Sequence, residues 1–126
     1  MPEALYSRDH TWIRDEGSRF RVGISDFAQS ELGEIAFVEL PEEGLEVNQG
    51  DPVCSIDSLK STSEIYAPIS GTVVEVNHPV ATEESCGLIN SDPLGEGWLF
   101  AIEPRNRQEL DGLLSQSEYE RYLAEG

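Results

Sequence analysis

Lys60 is the only lysine in this chain, and a lysine amine offers two kinds of chemistry. Buried, with a depressed pKa, it can act as a Schiff-base nucleophile. Exposed, it can anchor a covalently attached group. The surroundings favour the second. Asp57-Ser58-Leu59-Lys60-Ser61-Thr62-Ser63 is small and polar, the composition of a solvated turn. An attachment lysine must stand clear of the protein body on a fixed backbone, and a tight connection between two strands supplies both conditions. Acylation there removes the charge and adds length. About ten single bonds from Cα to the far end of an acyl arm reach roughly 13 Å, enough to hold a reactive tip at high effective concentration near a docked active site. An ordinary solvated turn lysine is the competing reading, and the turn alone leaves both open.

Other reactive types are sparse. Cys54 and Cys86 form no CxxC pair, and His10 and His78 stand at no ligand spacing beside them, so a zinc site is unsupported. Buried thiols without a disulfide are expected in a reducing compartment. No paired carboxylates and no Ser/His array stand out.

The positioning elements are read from the pattern. In 126 residues with 38% apolar content one core is expected, with a single domain over 1–126, a core at about 6–104 and a helical segment at 106–125. Short strands separated by turns fill the first part: Thr11–Arg14 and Arg19–Ile24 around Asp15-Glu16-Gly17-Ser18, then Ile35–Leu40, Val53–Asp57, Glu64–Ala67, Thr72–Val76 and Trp98–Ile102. Ser25 or Asp26 caps a short helix near 26–32 that ends at Gly33, and Asn90–Gly97 reads as a loop. Capping-box patterns at Asn106–Glu109 and Ser115–Glu118, each followed by apolar residues at helical spacing, predict two terminal helices. Val38-Glu39-Leu40-Pro41 and Val74-Glu75-Val76-Asn77 are a faint echo on either side of Lys60. The pattern is that of a sandwich or barrel.

Charge narrows the function classes. With 25 acids against 8 bases the net charge is -17, which repels nucleic acid and anionic lipid and attracts basic protein patches. No window approaches a membrane span. Met1-Pro2-Glu3-Ala4 has neither signal-peptide nor transit-peptide character, so a cytoplasmic location is expected, or the mitochondrial matrix for a mature eukaryotic form.

Several stretches occur together and in order: His10-Thr11-Trp12, Val22–Gln29, Leu32–Ile35, Phe37–Pro41, Asp57–Ser61, Pro68–Gly71, Val74–Asn77 and Gly95–Trp98. On these, from about Tyr6 to Leu123, the chain resembles the H protein of the glycine cleavage system. The resemblance implies a mainly β, lipoyl-domain-like barrel-sandwich hybrid of two small antiparallel sheets, with lipoate in amide linkage on Lys60. It implies a non-catalytic, monomeric carrier that takes an aminomethyl group from glycine decarboxylase to the aminomethyltransferase and presents its dithiol to dihydrolipoamide dehydrogenase. A lipoate ligase or a lipoyl/octanoyl transferase would modify it. The family's lipoylation cues, an acid three residues before the lysine and a glycine eleven after, fall on Asp57 and Gly71.

Two departures matter. The usual Glu-Ser-Val-Lys-Ala is Asp57-Ser58-Leu59-Lys60-Ser61 here, a conservative change. The usual His-Glu-Trp is His10-Thr11-Trp12, which removes a glutamate associated with holding the loaded amine. A hydroxyl cannot pair with ammonium as a carboxylate does. Glu31 and Glu64 lie in segments that border the arm's groove in the family, and Glu64 or Asp9 is expected to compensate. A lipoyl relay serving 2-oxoacid dehydrogenases is the first alternative. A biotin carrier fits less well, since its lysine sits between methionines and Leu59 and Ser61 do not match.

Overall fold

The structure, a computed structural model, describes residues 4–82 and 84–125; Met1–Glu3, read above for targeting signals, lie outside them. Alternating burial builds the strands. In β1 (Leu5–Tyr6), β2 (Thr11–Asp15), β3 (Phe20–Ile24), β4 (Ile35–Glu39), β5 (Glu46–Val47), β6 (Pro52–Ser58), β7 (Thr62–Tyr66), β8 (Gly71–Val76) and β9 (Phe100–Pro104), Ile13, Val22, Val38, Ile56, Val73 and Ile102 turn inward and are almost fully buried. All pairings are antiparallel. One sheet has the order β1-β2-β3-β9-β8-β5 and the other β4-β6-β7. Their apolar faces share one core, as two sheets each with one apolar face must. The mainly β architecture of two antiparallel sheets is as expected. Their sizes are unequal, so the echo around Lys60 does not mark two equal halves.

Helix α1 spans Asp26–Leu32. Ser25 is the cap, its Oγ accepting from the Ala28 amide at 3.1 Å, and Gly33 closes the helix at φ +79°. The Asn90–Gly97 reading is partly overturned: Leu88–Ser91 forms a short helix, α2, because Asn90 is occupied elsewhere. Its Oδ1 accepts from the Ile35 amide at 3.0 Å, and its Nδ2 donates to the Gly33 carbonyl at 2.8 Å. The last strand starts at Phe100 rather than Trp98.

At the C-terminus the two capping patterns part ways. Ser115 and Glu118 form a reciprocal box, Ser115 N donating to Glu118 Oε1 at 2.9 Å and Glu118 N to Ser115 Oγ at 3.2 Å, and α3 (Gln116–Glu125) follows. Asn106 caps only a 3-10 turn, Arg107–Gly112. Glu109 is drawn away to accept from Ser70 N and Ser70 Oγ at 2.7 and 2.9 Å, and this bond pins the Ser70–Gly71 corner.

Gly71 opens β8 in the larger sheet, opposite Pro104. Its φ is not positive. A Cβ there would collide with the Glu103 carbonyl oxygen and crowd Ile102, so glycine is required by close strand approach rather than by a turn conformation. Gly71→Ala is expected to cost about 1–3 kcal/mol, the range of an overpacked core, measured as a lowered urea midpoint with unchanged m-value.

Candidate functional site

The β6–β7 hairpin presents Lys60. Phe37, Asp57 and Thr62 lie in register across β4, β6 and β7, and Ser58 pairs with Ile35 one step nearer the turn. The turn is closed by the Ser58 amide donating to the Ser61 carbonyl at 2.8 Å, while Ser58 Oγ accepts from the amides of Lys60 and Ser61 at 3.3 and 3.0 Å. A serine hydroxyl folding back on following amides is what makes Ser a turn residue. The third strand contributes as well: Leu59 N donates to the Glu34 carbonyl at 3.0 Å. Leu59, Lys60 and Ser61 are all exposed. The Lys60 side chain lies along the end of α1, its Cε 3.4 Å from where a Cβ would stand on Gly33. The bare glycine therefore leaves a track for the methylene chain.

Beside the turn is a cleft of about 310 Å³ between α1 and β7. Ile24, Phe27, Ala28, Leu32 and Ile65 form its apolar walls, Ser61 and Ser63 line the hairpin side, and Asp9, His10 and Glu31 stand on the polar side. Such a mixture accepts a slender apolar chain with a polar or cationic end.

His10 was not singled out by the sequence. It holds a left-handed φ of 67°, unusual for a non-glycine residue, and its ring packs on Phe27 at 4.7 Å between centroids. His10 Nδ1 lies 2.7 Å from Tyr119 Oη, and Tyr119 Oη lies 2.7 Å from Ser25 Oγ. Burial lowers the His10 pKa against the opposing pull of Asp9 and Glu31, and burial raises that of Tyr119. With the imidazole neutral, one arrangement satisfies every partner: Ala28 N donates to Ser25, Ser25 to Tyr119, and Tyr119 to His10 Nδ1. The other ring nitrogen then carries the hydrogen. These contacts span 94 and 109 positions, so no local pattern announces them.

The remaining sequence candidates separate. Asp9 and Glu31 are exposed and meet at the cleft. Thr11 does not line it; its side chain is buried in β2, 1% exposed. Glu64 does not line this cleft either. β7 alternates, so Ser63 and Ile65 face the cleft side while Glu64 points to the outer surface of the small sheet, 3.5 Å from Tyr66 Oη and beside Glu39 and Ser55. Asp57 is half-buried on β6, in the Phe37–Thr62 row. Gly71 belongs to the other sheet.

The thiols do not enter the site. Cys54 is buried and its pKa is pushed up to about 12 by desolvation, which leaves it inert, while Cys86 Sγ donates to the Ile35 carbonyl at 3.4 Å. Among the described residues no group of three or more His, Cys, Asp or Glu is placed to hold a metal, and no helix is long and apolar enough to cross a membrane.

The sequence and the fold both match known proteins. The family described as glycine cleavage H-protein matches residues 4–126. A glycine cleavage system H protein of Carboxydothermus hydrogenoformans is 49% identical over 126 residues, covering 99% of this chain and 95% of that protein. One from Geobacillus thermodenitrificans is 47% identical over 124 residues, covering 98% and 96%. The crystal structure of a glycine cleavage system H protein from Mycobacterium marinum superposes with a TM-score of 0.86 at 33% identity, covering 98% of each chain. The matched proteins are named as the H component of the glycine cleavage system. By sequence along its whole length and by its paired sheets, the chain belongs to the glycine cleavage H-protein family.

Proposed function

We propose that this chain, one carrier domain over 1–126, bears lipoate in amide linkage on Lys60 and moves the aminomethyl group of glycine from glycine decarboxylase to the aminomethyltransferase. The dithiol then goes to dihydrolipoamide dehydrogenase for reoxidation. The observation that carries this reading is the placement of the sole lysine. Lys60 is exposed at the apex of a hairpin braced by a third strand, beside a cleft with apolar walls and an acidic rim.

The residues present suit the group. A lipoyl chain has an apolar length that Ile24, Phe27, Leu32 and Ile65 can shelter from water, and each buried methylene is worth about 0.8 kcal/mol. When attached, the group supplies a disulfide that is reduced as it accepts the one-carbon unit. The chain's own residues do the rest. Ser58 and the Glu34 carbonyl fix the root, and Gly33 gives the Lys60 methylenes a path toward the cleft. Asp9 and Glu31 place negative charge where a cationic cargo would rest, the role left vacant by threonine at position 11. Asp57 and Gly71 carry the modification cues, Asp57 on the hairpin itself and Gly71 by holding the scaffold. A lipoate ligase or lipoyl/octanoyl transferase acts on Lys60. The protein is proposed to work as a monomer in the cytoplasm.

The direct test is intact mass of protein made with and without lipoate. One lipoyl increment is expected, mapped by peptide fragmentation to Lys60, and Lys60→Arg should carry none and pass no one-carbon units from glycine to folate. An increment on any other residue ends the proposal.

The acidic rim gives a second expectation. A charge-assisted hydrogen bond is worth about 1.5–3 kcal/mol when sheltered, less at an exposed rim. The Asp9→Asn/Glu31→Gln double variant should therefore shorten the survival of the aminomethyl load, without acceptor, by about tenfold. Ammonia release measures it. Glu64→Gln should leave that lifetime unchanged, and a large effect there would place the amine on the outer surface instead.

A further inference from the structure

The small sheet has an uncovered side. Val38, Cys54, Ile56 and Ile65 turn into the core, and of the alternate residues Phe37, Glu39, Thr62 and Glu64 are exposed and Ser55 and Asp57 half-buried. The register arranges these in two rows beneath the Lys60 turn: Phe37–Asp57–Thr62, whose Thr62 also borders the cleft at the strand's start, then Glu39–Ser55–Glu64. Neighbouring positions within a row are about 4.8 Å apart, and the rows about 7 Å apart. Phe37 is 53% exposed and Leu59, next to Lys60, is 72% exposed. These are the two most exposed large apolar side chains among the described residues. The three strands contain three acids and no base. Glu39 and Glu64 flank Ser55 at a shallow depression of about 170 Å³, a size that suits one guanidinium or ammonium head.

Chemistry decides the occupant. A second copy of this chain would bring its own share of a net charge of -17, acid against acid, and an anionic lipid surface is repelled for the same reason. The partner must be basic and must offer an apolar socket. Among enzymes of the carrier cycle, those that work on the far end of an arm roughly 13 Å long can meet it without touching the turn. The enzyme that acylates the amine cannot. Nζ must attack the activated carboxyl carbon; the N–C bond forms, the bond to the activating group breaks with its electron pair, and the ammonium gives up two protons. That enzyme therefore has to grip the hairpin within a few ångströms of Lys60.

Resting on the lipoyl-carrier reading, we propose that the outer face of the β4-β6-β7 sheet is the docking surface for the lipoate-attaching enzyme. Phe37 and Leu59 enter an apolar socket, and Glu39 with Glu64 receive a basic side chain. The α1–β7 cleft stays free on the other side of the strand to receive the arm once it is made.

The test uses the unmodified chain with purified lipoate–protein ligase, lipoate and ATP. Phe37→Ser and Leu59→Ser are expected to raise KM for the carrier about tenfold with kcat within about threefold, roughly the loss of one anchoring contact in an interface. Glu39→Lys should raise it as well, and this charge dependence should fade above about 0.3 M salt. Once lipoylated to completion, all three variants should be reduced by dihydrolipoamide dehydrogenase within about twofold of the parent, which sets the docking role apart from general damage. A KM within about twofold of the parent for all three variants overturns the docking surface. So does an equal loss in the dehydrogenase step. A parent chain that takes no lipoyl group at all refutes the carrier reading instead, and is distinguishable because no variant is needed to see it.

Discussion

A single backbone hydrogen bond sets the frame of the site: Leu59 N, in the β6–β7 turn, to the carbonyl of Glu34, the residue that leads into β4. A two-stranded hairpin alone is marginal in water, and its tip frays first. Here the tip is tied to a third strand one residue before Lys60. The tie is continued behind it, because Asn90 holds the Gly33 carbonyl and the Ile35 amide on both sides of Glu34. A movable arm is useful only if its root is still; otherwise the tip samples a larger volume and its effective concentration near any docked partner falls. The root is therefore built like a core element although the lysine itself is exposed.

The same economy governs the cleft. Its position depends on α1, a helix of only seven residues that would not hold its place by its own propensity. Tyr119 anchors it from the far end of the chain. The tyrosine stacks on Tyr6 at 4.3 Å with rings 5° from parallel and reaches the Ser25 cap with its hydroxyl. One hydroxyl thus serves the N-terminus of the helix and the His10 ring together, so α3 braces from behind two groups that border the cleft. The terminal helix is more than a closing element over the β structure.

What could be read from the chain, and what could not, divides by the range of the interactions. The β elements, the Ser25 cap, the Ser115–Glu118 box and the turn around Lys60 rest on local chemistry: burial alternation, short polar side chains, a glycine at positive φ. The Asn106–Glu109 box misled because Glu109 found a better partner 39 residues away in Ser70. His10 and Tyr119 were silent for the same reason, their bond joining positions 109 apart. Glu64 shows a subtler limit. The segment that carries it does border the cleft, but in a strand the side-chain period is two, and Ser63 and Ile65 already take the inner positions. Knowing the segment does not fix the face.

Facing matters because it separates two demands that would otherwise compete for one surface. In the carrier proposed above, the cleft would have to shelter an apolar chain and favour a cation at its mouth, while the amine stayed open to the enzyme that first modifies it. Were both demands met on the cleft side, the modifying enzyme would occupy the space its product has to enter. The pleat of β7 resolves this by sending Ser63 and Ile65 one way and Glu64 the other. On the proposed reading, acidic residues on both sides would act in different capacities: Asp9 and Glu31 toward a small ammonium in a confined space, Glu39 and Glu64 toward a basic protein surface in open solvent. Net charge alone cannot make that distinction. The register of three short strands does.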